Sequence, residues 1–262
     1  MRPELAKKIL VDHVHHVTSY YEAIAPLFPP EHIHTFRTHV KKLRAFLRFL
    51  SSTNKELQLP ESCQTAYHIA GYIREAQVEE KWLAQKQILF PGYVAQLQET
   101  IEHYKQQWHA HYTPRFLHEW IKDVQQTNIP EISTKDLHHF FGTHLRSIHK
   151  IIQHQPDNEQ IHTCRKYVKD MLYISSIADK EWRYGYKELS KLPLEELHTL
   201  SEKLGDYNDG RMMLEHFMQF SASTSVDAAI QNSICTEIHN SLQTKKKRLL
   251  VCISNFLQAT HA

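Results

Sequence analysis

The residues of this chain whose types and spacing could do chemistry are mostly cations. Between Ile33 and Leu50 the sequence reads IHTFRTHVKKLRAFLRFL, with no Asp or Glu in it. On a helix, His34, Arg37, Lys41, Arg44 and Arg48 recur at steps of three, four, three and four, which makes one continuous stripe. Lys42 adds a further cation. Like charges one turn apart destabilise an isolated helix. A row without acidic relief is therefore either a solvated face or a seat for an external anion. Arg offers phosphate a bidentate fork and Lys a point charge, so the chemistry such a row suits is binding a polyanion.

That stripe has a counterpart. Ile161 to Ile177 reads IHTCRKYVKDMLYISSI, identical to the first stretch at Ile33/Ile161, His34/His162, Thr35/Thr163, Arg37/Arg165, Val40/Val168 and Lys41/Lys169. A second phrase follows each copy: Gly71-Tyr72-Ile73-Arg74-Glu75 and Gly205-Asp206-Tyr207-Asn208-Asp209, both of the form Gly-x-x-(Arg/Asn)-acid. The offset is 128 residues between the histidines and 134 between the glycines. Self-similarity of this kind points to two divergent copies of one unit. The expected halves are 1–128 and 129–262, divided near Asn128-Ile129-Pro130. The returning spacing favours a site over a bland charged face. The candidate anion ligands are His34, Arg37, Lys41, Lys42, Arg44, Arg48 and Arg74, with His162, Arg165, Lys166, Lys169, Lys245 and Arg248 from the second copy. Gly71 and Gly205 read as points of close helix packing, and Arg74 with Glu75 as an ion pair or an anion contact.

The elements that position these residues read as helices throughout. The chain has 262 residues, 41% of them hydrophobic, and six Gly, and it is rich in good helix formers. Apolar periodicity predicts helices over 3–25, about 30–50, 62–88, 93–110, 114–124, 134–154, 158–178, 194–221 and 226–258. On the first, Leu5, Ile9, Leu10, Val14, Val17, Tyr20 or Tyr21, and Ile24 face inward. On the basic helix, Ile33, Phe36, Val40, Leu43, Leu47 and Leu50 form the buried side beside the cations. Pro30 and Glu31 suit a helix start. Residues 51–60 and 179–193 read as irregular, and 221–225 as a Ser-rich turn.

A formal net charge of +2 predicts no polyanion partner by itself; the local distribution does. Twenty-one His make anion binding sensitive to acid. The four Cys, at 63, 164, 235 and 252, lack metal-type pairing and read as reduced thiols of a cytosolic protein. The start of the chain does not read as a secretory signal, and no apolar run reaches bilayer length. Glu31-x-x-His34 and Glu159-x-x-His162 raise a rival: a di-iron or other metal-binding bundle, which uses paired Glu-x-x-His motifs. Against it, both Glu sit at helix starts and cations follow one and two turns on. Hydrolase motifs are missing: there is no Gly-x-Ser-x-Gly and no P-loop. A scaffold for nucleic acid or acidic proteins is a third reading, weakened for RNA because the stripe carries no Tyr or Trp for base stacking.

With these motifs in view, the chain resembles the CHAD domain, the conserved-histidine α-helical domain. His34, Arg37, Lys41, Lys42 and Arg44 match the first signature; Gly71, Arg74 and Glu75 match its Gly-x-x-Arg-Asp phrase with Glu for Asp. His162, Arg165, Lys169 and Tyr173 match the second histidine helix, and Leu204, Gly205, Asn208 and Asp209 the later Leu-Gly-x-x-Asn-Asp phrase. The resemblance implies an all-α fold of two helical-bundle halves, about four main helices each, related by a pseudo-two-fold. It also implies a basic channel between them that binds inorganic polyphosphate without catalysis, cofactor or membrane, in the cytoplasm or on polyphosphate granules, with a homo-oligomer left open. Two departures stand out: Asp170 and Leu172 replace cations of the pattern, so the second half is expected to contribute less, with Lys166 in partial compensation.

Overall fold

The computed structural model describes residues 1–51, 57–85, 91–113, 115–181, 193–224 and 228–261. Among them every regular element is an α-helix: α1 (Pro3–Ile24), α2 (Pro30–Ser51), α3 (Glu61–Gln85), α4 (Pro91–His111), α5 (Arg115–Gln126), α6 (Thr134–Ile152), α7 (Asn158–Glu181), α8 (Leu194–Ser223) and α9 (Ala228–His261). The all-helical class read from composition and period is the one found. The chain divides into two compact units, Met1–Asp136 and Leu137–Ala262. No helix among the described residues is long and apolar enough to cross a membrane.

In the first unit α1 packs on α2, α2 on α3, α3 on α4, and α5 returns to α1. Every residue expected on the apolar side of α2 is buried, from Ile33 and Phe36 to Leu50. Of the α1 positions expected inward, Leu5 is half-buried, and Ala6 and Tyr21 are the buried neighbours. Trp108 of α4 anchors this core. Its ring centroid lies 4.8 Å from Tyr21 and 5.6 Å, edge-on, from Phe36. Each such aromatic contact adds about 0.5–1.5 kcal/mol to simple burial. Phe28, buried at a positive φ of 51°, sets the entry into α2. Ile129 and Ile132 are also buried, and the Met1 amine donates to the Ile132 carbonyl while Ile132 N–H donates back to Met1. The 129–132 segment thus packs into the first unit.

The second unit layers α7 on α8 and α8 on α9. Its core comes from Ile161, Cys164, Val168 and Met171 of α7, Leu197, Leu204 and Phe217 of α8, and Leu249, Ile253 and Phe256 of α9. Helix α7 continues through 179–181, where an irregular stretch was expected; residues 182–192 lie outside the described residues. Likewise α8 runs on through Ser221 and Ser223, whose hydroxyls donate to the Met218 and Phe220 carbonyls. The rest of the Ser-rich turn, from 225, lies outside the described residues, as does most of the 51–60 linker (52–56) and 86–88 of the third expected helix.

Candidate anion-binding site

Helix α2 presents its cations beside α3, and α3 supplies what the linear stripe lacks. Tyr67 of α3 lies under two arginines: the guanidinium carbon of Arg37 is 4.6 Å from its ring centroid and that of Arg44 5.4 Å. Both distances are within the range at which a cation is attracted to a ring face. Arg37 also donates from Nη1 to the Tyr67 carbonyl at 2.9 Å, and its Nη2 lies 3.7 Å from Glu75. Its side chain is 14% exposed. The close approach depends on Gly71: a Cβ there would come within 2.0 Å of Arg37 Nη1. Gly71 is thus a point of close packing, but against a guanidinium.

Glu75 therefore pairs across the helix interface with Arg37. Adjacent residues on a helix point in different directions, and Arg74 turns elsewhere. It lines a cleft of about 1000 Å³ with His34, Lys81, Lys105, Glu31, Glu80 and Glu102. Arg74, Lys81 and Lys105 are basic and three residues are acidic, and Lys105 already contacts Glu102 at 2.6 Å. Such balance gives a polyanion little reason to enter. The expected stripe is thus divided: His34 and Arg74 border a mixed-charge cleft, while Arg37 and Arg44 converge on Tyr67. Lys41 is half-buried and Arg48 exposed at the end of α2.

Lys42 sits on another flank. It is one of the charges acting on His39, which stacks at 4.7 Å on His16 and at 5.7 Å on Tyr20, with His13 6.2 Å away. Burial, helped by Lys42, His16 and His13, lowers the His39 pKa to about 4. The corresponding place in the second stretch is Asp170, and the same geometry explains it. Asp170 is buried, with Oδ2 3.6 Å from His144 Nε2 on α6. Its carboxylate closes a contact with α6 and is 6% exposed, so it offers solvent little negative charge. Leu172 is buried in the same core. The two departures are core residues of α7.

On α7 the remaining motif residues are drawn to α8. His162 Nδ1 lies 3.0 Å from the Asn208 side-chain oxygen, which joins the two phrases of this half directly. An amide oxygen accepts, so this contact favours the tautomer with the proton on Nδ1. Burial lowers the His162 pKa, the Asn208 bond opposes this, and Lys166, Arg165 and Arg211 lower it further. His162 is therefore neutral at pH 7 and orients α7 on α8. Lys169 stands 5.9 Å from the Tyr173 ring, its pKa lowered by burial and by Arg165 against the pull of Glu202 and Asp209. Lys166 is exposed. Arg165 is half-buried, and its Nε is enclosed without a hydrogen-bond partner among the described residues. On α9, Lys245 and Arg248 are exposed, and Lys245 donates to the Asp206 carbonyl at 3.4 Å. At Gly205 an added Cβ would meet nothing within 4 Å among the described residues. The close packing expected there is not found, because no guanidinium crosses it.

Two residues escaped the sequence reading. Tyr67 lies one turn before Gly71 on the same face of α3, and that spacing is the signal that could have found it. Arg211, 13% exposed, reaches Glu215 at 2.7 Å and Glu159 at 3.4 Å. The Glu of the second Glu-x-x-His thus faces an arginine, where a dication would be repelled. Among the described residues no group of three or more His, Cys, Asp or Glu is placed to hold a metal ion.

Helices carrying His-x-x-Arg-x-x-x-Lys, each packed on a helix carrying Gly-x-x-(Arg/Asn)-acid, define a class of all-helical domain. The family model of the CHAD domain matches residues 8–217, and the chain belongs to that family. Its fold is similar to that in the crystal structure of the CHAD domain from the plant Ricinus communis, with a TM-score of 0.67 at 17% identity, over 99% of this chain and 91% of that one. No curated protein matches the chain in sequence.

Proposed function

We propose that this protein binds inorganic polyphosphate as a non-catalytic module, in the cytoplasm, with the α2–α3 face as its principal contact. The observation that carries the reading is the paired presentation of Arg37 and Arg44 over Tyr67, continued along α2 by Lys41 and Arg48. Guanidiniums held by a ring and a backbone carbonyl lose little side-chain freedom on meeting phosphate, which favours binding. A flexible polyphosphate can meet several such cations at once and release its counterions. Arg165, Lys166 and Lys169 add weaker contacts from the second unit. Membership of the CHAD family supports the reading, since polyphosphate binding is general in that family.

The test is a titration of purified protein with long-chain polyphosphate across a range of salt, alongside the Arg37→Ala/Lys41→Ala/Arg44→Ala variant. The expected result is an affinity that falls steeply with log salt concentration, at about 0.7–0.9 per phosphate neutralised by analogy with nucleic acids, and a large loss in the variant. A folded wild-type protein that does not bind at low salt would overturn the reading. Single-stranded RNA as competitor separates a phosphate-chain binder from a nucleic-acid binder, which should gain from base stacking.

A further inference from the structure

We infer that Tyr67 is a positioning residue: its ring gathers Arg37 and Arg44 into one two-pronged clamp for neighbouring phosphate groups, with Gly71 providing the clearance. The inference deepens the polyphosphate reading and rests on it for the identity of the ligand. Neither arginine would hold this place unaided. Two like charges close together repel, and each long side chain loses rotamer freedom when fixed. The ring of Tyr67 attracts both cations, at 4.6 and 5.4 Å from its centroid. The Tyr67 carbonyl then fixes Arg37 from the same residue, at 2.9 Å, and Glu75 lies on its other nitrogen at 3.7 Å.

The chain contains its own control. The offset of 134 that relates Gly71 to Gly205 sets Ser201 opposite Tyr67. Ser201 is buried, and its hydroxyl has no hydrogen-bond partner among the described residues. Without a ring at that place, Arg165 does not lie over Gly205, and its buried Nε also finds no partner. The same Arg and the same Gly are present in both stretches; the residue one turn before the glycine differs, as do Arg44 against Leu172 and Glu75 against Asp209.

The experiment compares wild type, Tyr67→Leu, Tyr67→Phe and Gly71→Ala. Long-chain polyphosphate binding is measured at fixed salt, and the Nε–Hε resonances of Arg37 and Arg44 are followed by NMR. Tyr67→Leu should lower affinity about five- to tenfold, the range of one well-placed cation–ring contact, and should abolish the ring-current shift of both arginine resonances. Tyr67→Phe keeps the ring and the carbonyl and should restore both readouts to within about twofold of wild type. Gly71→Ala crowds Arg37 Nη1 off the carbonyl and should move the Arg37 resonance more than that of Arg44. If folded Tyr67→Leu binds like wild type, or if its arginine resonances do not move, the inference is wrong. If wild type fails to bind polyphosphate, the functional reading fails, and the resonances still decide whether Tyr67 positions the pair.

Discussion

Arg37 and Arg165 occupy the same place in two stretches of like spacing, and they behave differently. Arg37 lies across Gly71, over a tyrosine and onto a carbonyl. Arg165 has a buried nitrogen with no hydrogen-bond partner among the described residues, and Gly205 beside its helix is uncovered. The histidines reverse this order. His162 is joined to Asn208 of the next helix, whereas His34 is exposed at the rim of a cleft. Helix α2 holds its arginine against α3, and α7 holds its histidine against α8. The same His-x-x-Arg-x-x-x-Lys spacing therefore makes different contacts in the two stretches.

The sharpest way to break this contrast is at the position that differs most in charge. Asp170→Lys would restore the residue type of the first stretch, but at a buried site that now faces His144. Removing one partner of a buried pair and burying a charge in its place costs about 3–5 kcal/mol. The urea midpoint should drop sharply with no gain in polyphosphate affinity. The reverse exchange, Lys42→Asp, lies at a half-exposed position and should cost under about 1 kcal/mol. Equal effects of the two exchanges would mean that the two flanks are alike after all.

Charge removal tests the same division in binding. Arg37→Ala/Lys41→Ala/Arg44→Ala should lower polyphosphate affinity by about a hundredfold or more, from three charge-assisted contacts. The parallel Arg165→Ala/Lys169→Ala variant should lose only about three- to tenfold, because Lys169 is held back by burial and drawn to Glu202 and Asp209. Isothermal titration at one salt concentration gives both values. A larger loss in the second half would assign the principal contact to α7.

The two glycines give a smaller and cleaner pair. Gly205→Ala meets open space and removes a helix-interior glycine, so it should stabilise by about 0.5–1 kcal/mol without changing affinity. Gly71→Ala gains the same propensity, but loses the Arg37 bond to Tyr67 as the guanidinium is pushed aside. The net change in melting temperature should be near zero while affinity falls.

The smallest effect is on pH. His39, with Lys42 on its own helix and His13, His16 and Tyr20 on α1 around it, is neutral in the folded protein and has a pKa of about 4, against about 6.5 in an unfolded chain. Between those values the unfolded chain binds more protons, so stability is full above about pH 6.5 and declines as pH falls toward 4. The matching residue of the second stretch is Tyr167. Urea midpoints taken from about pH 7.5 down to about pH 5 should decline less steeply in His39→Gln than in wild type. An unchanged slope would place the acid sensitivity elsewhere.

The sequence by itself determined the helices, their buried faces and the family, because apolar spacing and Gly-x-x-(Arg/Asn)-acid phrases are local properties of the chain. It also marked His34, Arg37, Lys41 and Arg44 as one stripe, since i, i+3 and i+4 neighbours follow from helix geometry alone. It did not show which of them α3 would gather. Tyr67 and Glu75 meet Arg37 from 30 and 38 residues away, and only helix packing sets that register. Nor did it tell that Asp170 and Leu172 turn inward. A carboxylate on a basic helix reads as a lost ligand until the neighbouring helix supplies His144. Side-chain direction around the α2 and α7 axes, and the choice of partner across each interface, belonged to the tertiary structure, because those contacts join residues that no local pattern relates.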